Sequence, residues 1–404
     1  MEAGVISAGK RSALAQELAK KVRAVSEVEA ASTVGAFVGF DGFVDTICRV
    51  VERRRAPGSE GAEPMRSMRQ FAERVAEAAG ESANIELLVE RVKLGGNGPI
   101  LALALATLGG RVRCAGAVES PVERGEVDPV FDELQQRCFH VLPLCPPGRT
   151  EALEFRDGKV MLGKLETLDA VTWARVVEAA GGLAQLRTML QSSDVVAMGN
   201  WTMLFGMKDI WEGLAREGLP GLEGRRWLFV DLADPAKRSD EDVLEAMEQL
   251  RRLDALSPVA LGVNAAEAHR LCALAGSPLP RLDTQAGAEE HAAHALLAAK
   301  TLREAVGLTL LLAHTRKAAA AADETGAWAL ASTYTRTPVL STGAGDHFNA
   351  GCCFALALGW SVVETLTAGV GVSGVYVRRG RSPDRGELAA FLEQLPPPEE
   401  EASA

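Results

Sequence analysis

The seven cysteines form no C-x-x-C pair, and their number is odd. Cys352 and Cys353 are adjacent, which is poor geometry for a mutual bridge. A disulfide scaffold is therefore excluded, and reduced, mostly buried thiols in a cytosolic protein are expected. Basic residues are also short, with 43 Lys+Arg against 54 Asp+Glu and a net charge of −11. That balance argues against a nucleic-acid backbone or an anionic membrane as the main partner. The opening stretch MEAGVISAGKRSALAQ lacks a charged segment followed by an apolar one, so no secretory signal is expected. Residues 100–108 are too short an apolar run for a membrane span. Residues 351–377 are long enough, but Glu364 and the glycines at 359, 369, 371 and 374 are expected to cut them into two short buried helices. H-E-x-x-H is missing, the six histidines are scattered, and no repeat appears at solenoid periods. The expectation is a soluble, cytoplasmic protein.

What the chain does have is core-forming material. Apolar residues make up 47% and charged residues 24% of 404, an ordinary globular composition that allows a sizeable core. Leu14, Leu18 and Val22 fall at four-residue spacing among charges, which predicts an amphipathic helix over 10–31. Short apolar runs follow at 34–40, 112–118, 194–200, 227–233, 260–264 and 308–315. Helical patterns such as 241–253 and 288–306 lie between most of them. Apolar strands alternating with amphipathic helices predict a mostly parallel sheet covered on both faces, in one α/β domain over nearly the whole chain.

Two segments depart from this rhythm. Residues 49–94 hold a polar loop, a helix-like stretch and a strand-like one. Residues 147–166 read as two strands around Asp157-Gly158, a type I′ hairpin signal. Both are expected to belong to a small β-rich lid. Residues 1–33 are then an N-terminal helical extension, and the Pro- and Glu-rich tail over 395–404 should fray.

Two phosphate-loop matches fail on context. The run from Gly158 to Leu165 has Leu where the P-loop needs Ser or Thr, and it lies in a hairpin. Gly369-Val-Gly371-Val-Ser-Gly374 follows a helical pattern instead of a strand, so close helix packing explains it. STGAGDHFNAG, residues 341–351, is different because an apolar helix follows it at once. Gly343, Ala344 and Gly345 let the turn present N–H groups at a helix N-terminus, which makes an anion site. Asp346 in the first turn either stabilises the helix or takes the proton of a hydroxyl while the nest holds a phosphoryl group.

The same string resembles the second signature of the PfkB (ribokinase-like) carbohydrate kinases, D-T-x-G-A-G-D-x-F. Thr342, Gly343, Ala344, Gly345, Asp346 and Phe348 match, and Asn349, Ala350 and Gly351 extend the match. Leu340 replaces the first Asp, which in the family helps hold a monovalent cation. Further elements follow in the family's order. Leu94-Gly95-Gly96-Asn97 and Leu108-Gly109-Gly110 resemble the first signature, with Ile100 where an Asn is usual and Asn97 the only amide nearby. Asp41 and Asp45 follow the first strand, where the family places an acid that binds sugar hydroxyls; one of them is alternatively a turn cap. VDLADPAKR, residues 230–238, resembles the D-x-N-x-R strand end, with Asp234 where Asn is common. Asn264 and Glu267 match N-x-x-E, which holds magnesium-bound water and phosphate, and they also suit a capping box. The adenine-side loop, usually T-x-G-x-x-G, keeps Thr315 but lacks both glycines, and Arg316 and Lys317 either contact phosphates instead or are plain solvated charge. Near the end, residues 377–380 resemble the closing stretch, with Arg381 in place of Ala.

The resemblance covers residues 34–394. It implies a ribokinase-like three-layer α/β/α sandwich with a mostly parallel sheet and a small β-rich lid. It also implies ATP- and Mg2+-dependent phosphorylation of a sugar or sugar-like alcohol. Asp346 would be the general base, with Gly343, Ala344 and Gly345 as the oxyanion nest and Glu267 as the magnesium residue. Asp41, Asp45, Gly95, Gly96 and Asn97 would hold the acceptor, and Asn264, Thr315, Arg316, Thr342 and Asn349 the nucleotide. Lid strands in the family often pair in a homodimer. An ADP-dependent sugar kinase, a nucleoside kinase and a catalytically silent ligand-binding regulator stand as alternatives.

Overall fold

A strand such as Leu310–His314 has no polar face to give to water. Leu310 and Leu312 point into one apolar core, Leu311 and Ala313 into the other. Strands of this kind need helices on both sides, and the computed structural model, which describes residues 3–26, 29–30, 32 and 34–398, supplies them. Its central sheet has ten strands. Across the sheet they run Gly4–Val5, Gly326–Ala331, Ala318–Asp323, Leu310–His314, Val259–Asn264, Trp227–Asp231, Val195–Met198, Gly35–Phe40, Arg111–Gly116 and His140–Pro143. Neighbours are parallel except where Ala318–Asp323 pairs antiparallel on both sides. One face packs on the helices Ala8–Ala24, Asn97–Thr107, Ala344–Ala357, Val362–Arg379 and Arg385–Glu393. The other packs on Trp173–Ala179, Leu183–Gln191, Met207–Gly213, Asp240–Asp254, Ala265–Leu274 and Ala288–Val306. The result is a three-layer α/β/α sandwich.

A second, five-stranded sheet is built from Phe43–Arg54, Ala62–Pro64, Leu87–Gly95, Gly148–Phe155 and Gly158–Lys164. Phe43–Arg54 lies at its centre, antiparallel to Leu87–Gly95 and parallel to Gly148–Phe155. Its own small core is Cys48, Val50, Met65 and Leu153. The sheet begins at Phe43, earlier than the segment 49–94 suggests.

Several expectations are corrected locally. The first helix ends at Ala24, because Val25 turns to extended backbone and buries its side chain. The N-terminal segment is not purely helical, since Gly4–Val5 adds an edge strand alongside Trp328 and Ala329. The hairpin loop is Arg156–Asp157, with Gly158 already in the return strand at φ +150°. Neither loop residue has positive φ, so the turn is not type I′. Glu364 does not break a helix. It closes a capping box with Ser361 that starts the 18-residue helix Val362–Arg379, which is therefore not short. That helix keeps Gly369 because a Cβ there would meet the Phe348 ring and the Cys352 sulfur at 2.8 Å. All seven cysteines are free and buried. No helix among the described residues is long and apolar enough to cross a membrane. From residue 399 on, the tail lies outside the described residues.

Candidate active site

Parallel strands bring their C-terminal ends to one rim of the sheet, where open α/β folds place ligands. Here the rim carries Asp41, Asn200, Asp231, Asn264 and His314, each at or just after a strand end. The helix Ala344–Ala357 points its N-terminus at this rim.

That helix begins where Gly343 takes φ +90°, a conformation that favours glycine, with Tyr376 Oη 3.0 Å from where a Cβ would stand. Ala344 N–H donates to the Ser341 carbonyl and His347 N–H to that of Gly343. Gly345 and Asp346 between them line the cavities. The turn is braced from behind. Tyr376 Oη donates to the Thr342 carbonyl at 2.6 Å and stacks on His347 at 3.6 Å. His347 Nδ1 donates to the Gly343 carbonyl, and burial lowers its pKa to about 4, so the ring stays neutral. From the second sheet, Lys159 Nζ reaches Thr342 Oγ1 at 2.7 Å.

Asp346 is 7% exposed, and its Oδ1 accepts from Asn97 Nδ2 at 2.7 Å. Burial, together with the charges on Asp231 and Asp41, pushes its carboxyl well above the usual range, against the pull of that hydrogen bond. Asn97 is positioned in turn. It opens the helix Asn97–Thr107 after Gly96, which sits at φ +101° with Gly42 Cα only 3.1 Å from a notional Cβ. Asp41 caps this helix by accepting from Asn97 N–H at 2.9 Å, Gly98 N–H at 2.7 Å and Asn200 Nδ2 at 2.8 Å. Asp41 is fully buried and lines neither cavity, so in this structure it holds Asn97 and Asn200 in place. Its pKa is raised by burial despite those three donors.

Asn264 and Glu267 form a complete capping box. Glu267 accepts from Asn264 N–H at 2.9 Å, from Asn264 Nδ2 at 2.6 Å and from Asp234 N–H at 3.2 Å. Burial and the nearby Asp231 raise its pKa to about 7. Asp231 is itself held by Ala233 N–H and by Asn349 Nδ2 at 2.7 Å. Capping and a cavity-lining carboxylate thus coexist in one residue.

Two cavities meet over this floor. A polar one of about 300 Å³ is lined by Asn97, Asn200, Asp231, Glu267 and Asp346, among others, and Lys237 reaches it while paired to Asp234 at 3.3 Å. A larger, mostly apolar one of about 440 Å³ runs past Thr315, Arg316, Tyr334, Pro338, Ser341 and Val377. Asn264, His314 and Gly345 border both.

Of the residues singled out from sequence, Asp346, Ala344, Gly345, Asn97, Asn264, Glu267, Thr315 and Arg316 reach a cavity. Asn349 does not: it is 1% exposed and anchors Asp231 from the inner face of its helix. Asp45 and Gly95 sit at the base of the second sheet, packed so tightly that a Cβ on Gly95 would meet Asp45 Oδ2 at 2.6 Å. Thr315 Oγ1 spends its acceptor capacity on Lys317 N–H and Ala318 N–H. Thr342 and Gly343 lie outside the lining of both cavities. Sequence reasoning passed over Asn200, Asp231 and His314. Their signal is a polar residue ending an apolar strand, reinforced at Asn200 by φ +60°.

The model of the prokaryotic ketohexokinase family matches residues 15–395. A ketohexokinase from Haloferax volcanii is 32% identical over 359 residues, 87% of this chain and 89% of the relative. Among solved structures, a ribokinase from Thermotoga maritima superposes with TM-score 0.60 at 16% identity, covering 89% of this chain and 99% of that one. A carbohydrate kinase from Agrobacterium tumefaciens gives 0.59 at 19%, covering 90% and 98%. A ribokinase II type protein from E. coli in complex with ATP and Mg2+ gives 0.56 at 13%, covering 89% and 99%. These likenesses assign the sandwich to the ribokinase-like fold.

Proposed function

From a chain that belongs to the prokaryotic ketohexokinase family, and is therefore a PfkB carbohydrate kinase, we infer a finer activity: transfer of the γ-phosphoryl group of ATP, with Mg2+, to a hydroxyl of a ketohexose. The observation that carries this reading is Asp346, a buried carboxylate at a helix N-terminus where two cavities meet. The larger, apolar cavity suits a nucleoside, and the smaller, polar one suits a sugar whose hydroxyls need fixed donors and acceptors.

On this reading Asn97 and Asn200 orient the sugar, and Asp346 takes the proton of the reacting hydroxyl. Because Oδ1 is held by Asn97, Oδ2 is the basic oxygen. As the sugar oxygen bonds to the γ-phosphorus, the bond to the β-phosphate oxygen breaks and ADP leaves through the larger cavity. The N–H groups of Gly345 and Asp346, with the helix dipole behind them, stabilise charge on the transferring group. The residues present fit a magnesium ion. Mg2+ takes oxygen ligands and keeps several waters, using one or two carboxylates plus substrate phosphates. Asp231, Asp234, Glu267 and Asp346 line the polar cavity against the ammonium of Lys237, an excess of carboxyl groups that a cation relieves. When bound, Mg2+ would screen the phosphates while Glu267 holds its water shell. The second sheet acts as a lid, since Lys159 bonding Thr342 holds it onto the nest.

The test is an ADP-release assay with ATP and Mg2+ over a panel of ketohexoses, aldohexoses, pentoses and nucleosides. Turnover should be highest on a ketohexose. Turnover on nucleosides or aldoses with none on ketohexoses refutes the reading.

A further inference from the structure

The passage between the two cavities is narrow in residue terms, being shared by Asn264, His314 and Gly345. Asn264 and His314 are register partners at the ends of adjacent parallel strands. The side chain of Asn264 is committed, its oxygen to the N–H groups of Ala266 and Glu267 and its amide nitrogen to Glu267. Gly345 offers backbone only, and a Cβ there would stand 3.6 Å from His314 Cε1. The His314 ring leans on Phe348, with centroids 5.0 Å apart. Among the described residues no hydrogen bond is made by its imidazole nitrogens. Burial holds its pKa at about 4, so the ring is neutral and carries one N–H and one acceptor nitrogen.

A nucleotide with its base in the apolar cavity and its reacting phosphoryl beside Asp346 must thread its phosphates past this point. We propose that His314 donates a hydrogen bond from its imidazole N–H to a phosphate oxygen of the nucleotide as the chain crosses between the cavities, and so positions the donor for transfer. The inference rests on the larger cavity being the donor site. It also says how a chain without glycines after Thr315 grips its nucleotide: a strand-end side chain does what a close backbone approach would otherwise do.

The test compares wild type, His314→Phe and His314→Gln in the full chain, by calorimetric titration of adenosine and ADP and by steady-state kinetics. Phe keeps the ring packing without the N–H, and Gln keeps a donor without the ring. A lost hydrogen bond to a charged group corresponds to about a tenfold effect or more. The Phe variant should therefore bind ADP about tenfold more weakly and show a similarly raised nucleotide KM. Its adenosine affinity and sugar KM should stay unchanged, and Gln should restore most of the ADP affinity. Equal weakening of adenosine and ADP, or indistinguishable Phe and Gln variants, would overturn the proposal as merely structural. Unchanged ADP affinity in the Phe variant would sink the role of His314 and spare the donor site. Wild type that binds neither adenosine nor ADP would remove the donor site and this inference with it.

Discussion

Replacing Asp346 by Asn removes one ionisable oxygen and almost nothing else. The two side chains have the same shape, so Asn97 Nδ2 can still donate to the remaining carbonyl oxygen across the present 2.7 Å. The carboxylate is 7% exposed and is destabilised as an anion by burial and by Asp231 and Asp41. Removing it therefore relieves electrostatic cost, and Tm should hold or rise. Chemistry should not survive so well. An amide cannot accept the hydroxyl proton, and loss of a positioned general base typically costs about 10²–10⁴ in rate, or roughly 2.7–5.4 kcal/mol of barrier. The assay is ADP release at saturating sugar and nucleotide, with Tm measured on the same preparation. We expect kcat to fall by that factor while the KM for sugar moves only a few-fold. In wild type, activity should decline as pH falls through the raised pKa of Asp346, because the base must be ionised, so the acid limb lies above the ordinary carboxylate range. A variant with wild-type kcat would refute the mechanism. A variant that loses activity and Tm together would make Asp346 a scaffold residue.

Three further outcomes are expected. Glu267→Gln keeps a residue that the capping box accepts and deletes a charge whose folded pKa, about 7, exceeds its unfolded value of 4.5. Wild-type stability attached to this group is complete below about pH 4.5 and is lost as pH rises through 7, so the variant should gain on the order of 2–3 kcal/mol over wild type at pH 8 and little at pH 4. Chemical denaturation at the two pH values checks this, and equal stability differences at both would count against it. Activity should depend little on potassium, because Leu340 offers no ligand where the family has Asp. A many-fold loss of kcat when tetramethylammonium replaces potassium at constant ionic strength would show that backbone carbonyls hold the ion. Selectivity between ATP and GTP should be loose, because the Thr315 hydroxyl is spent on its own turn, Lys317 Nζ donates to the Ala286 carbonyl outside both cavities, and Arg316 carries charge that suits the phosphates common to both. A kcat/KM ratio of about a hundred, nearly 3 kcal/mol, would mean that the larger cavity reads the base.

Local chemistry alone determined much of this protein. The apolar runs are strands because each must be buried on both faces, and their helical partners follow from amphipathic spacing. The run Ser341 to Gly351 is legible because a nest at a helix start depends on neighbours in the chain: Gly343 supplies the positive φ, and Asp346 falls in the first turn. The capping box of Asn264 and Glu267 is local for the same reason. The tertiary structure decided what depends on residues far apart in the chain. The alanine run Ala318–Asp323 has the composition of a helix, yet it is a strand, because it lies between two others with its side chains divided between the two cores. Asp41 looks like a sugar ligand from its place after the first strand. Its neighbours turn out to be the N–H groups of Asn97 and Gly98 and the amide of Asn200, 159 residues away. Asn349 sits in the strongest motif but faces inward, to Asp231. His314 and Asp231 acquire meaning only because parallel strands end together at one rim. Sequence spacing encodes contacts within a turn of helix or a tight loop; contacts between strand ends depend on the order in which the sheet assembles, and the sheet placed Asn97 against Asp346.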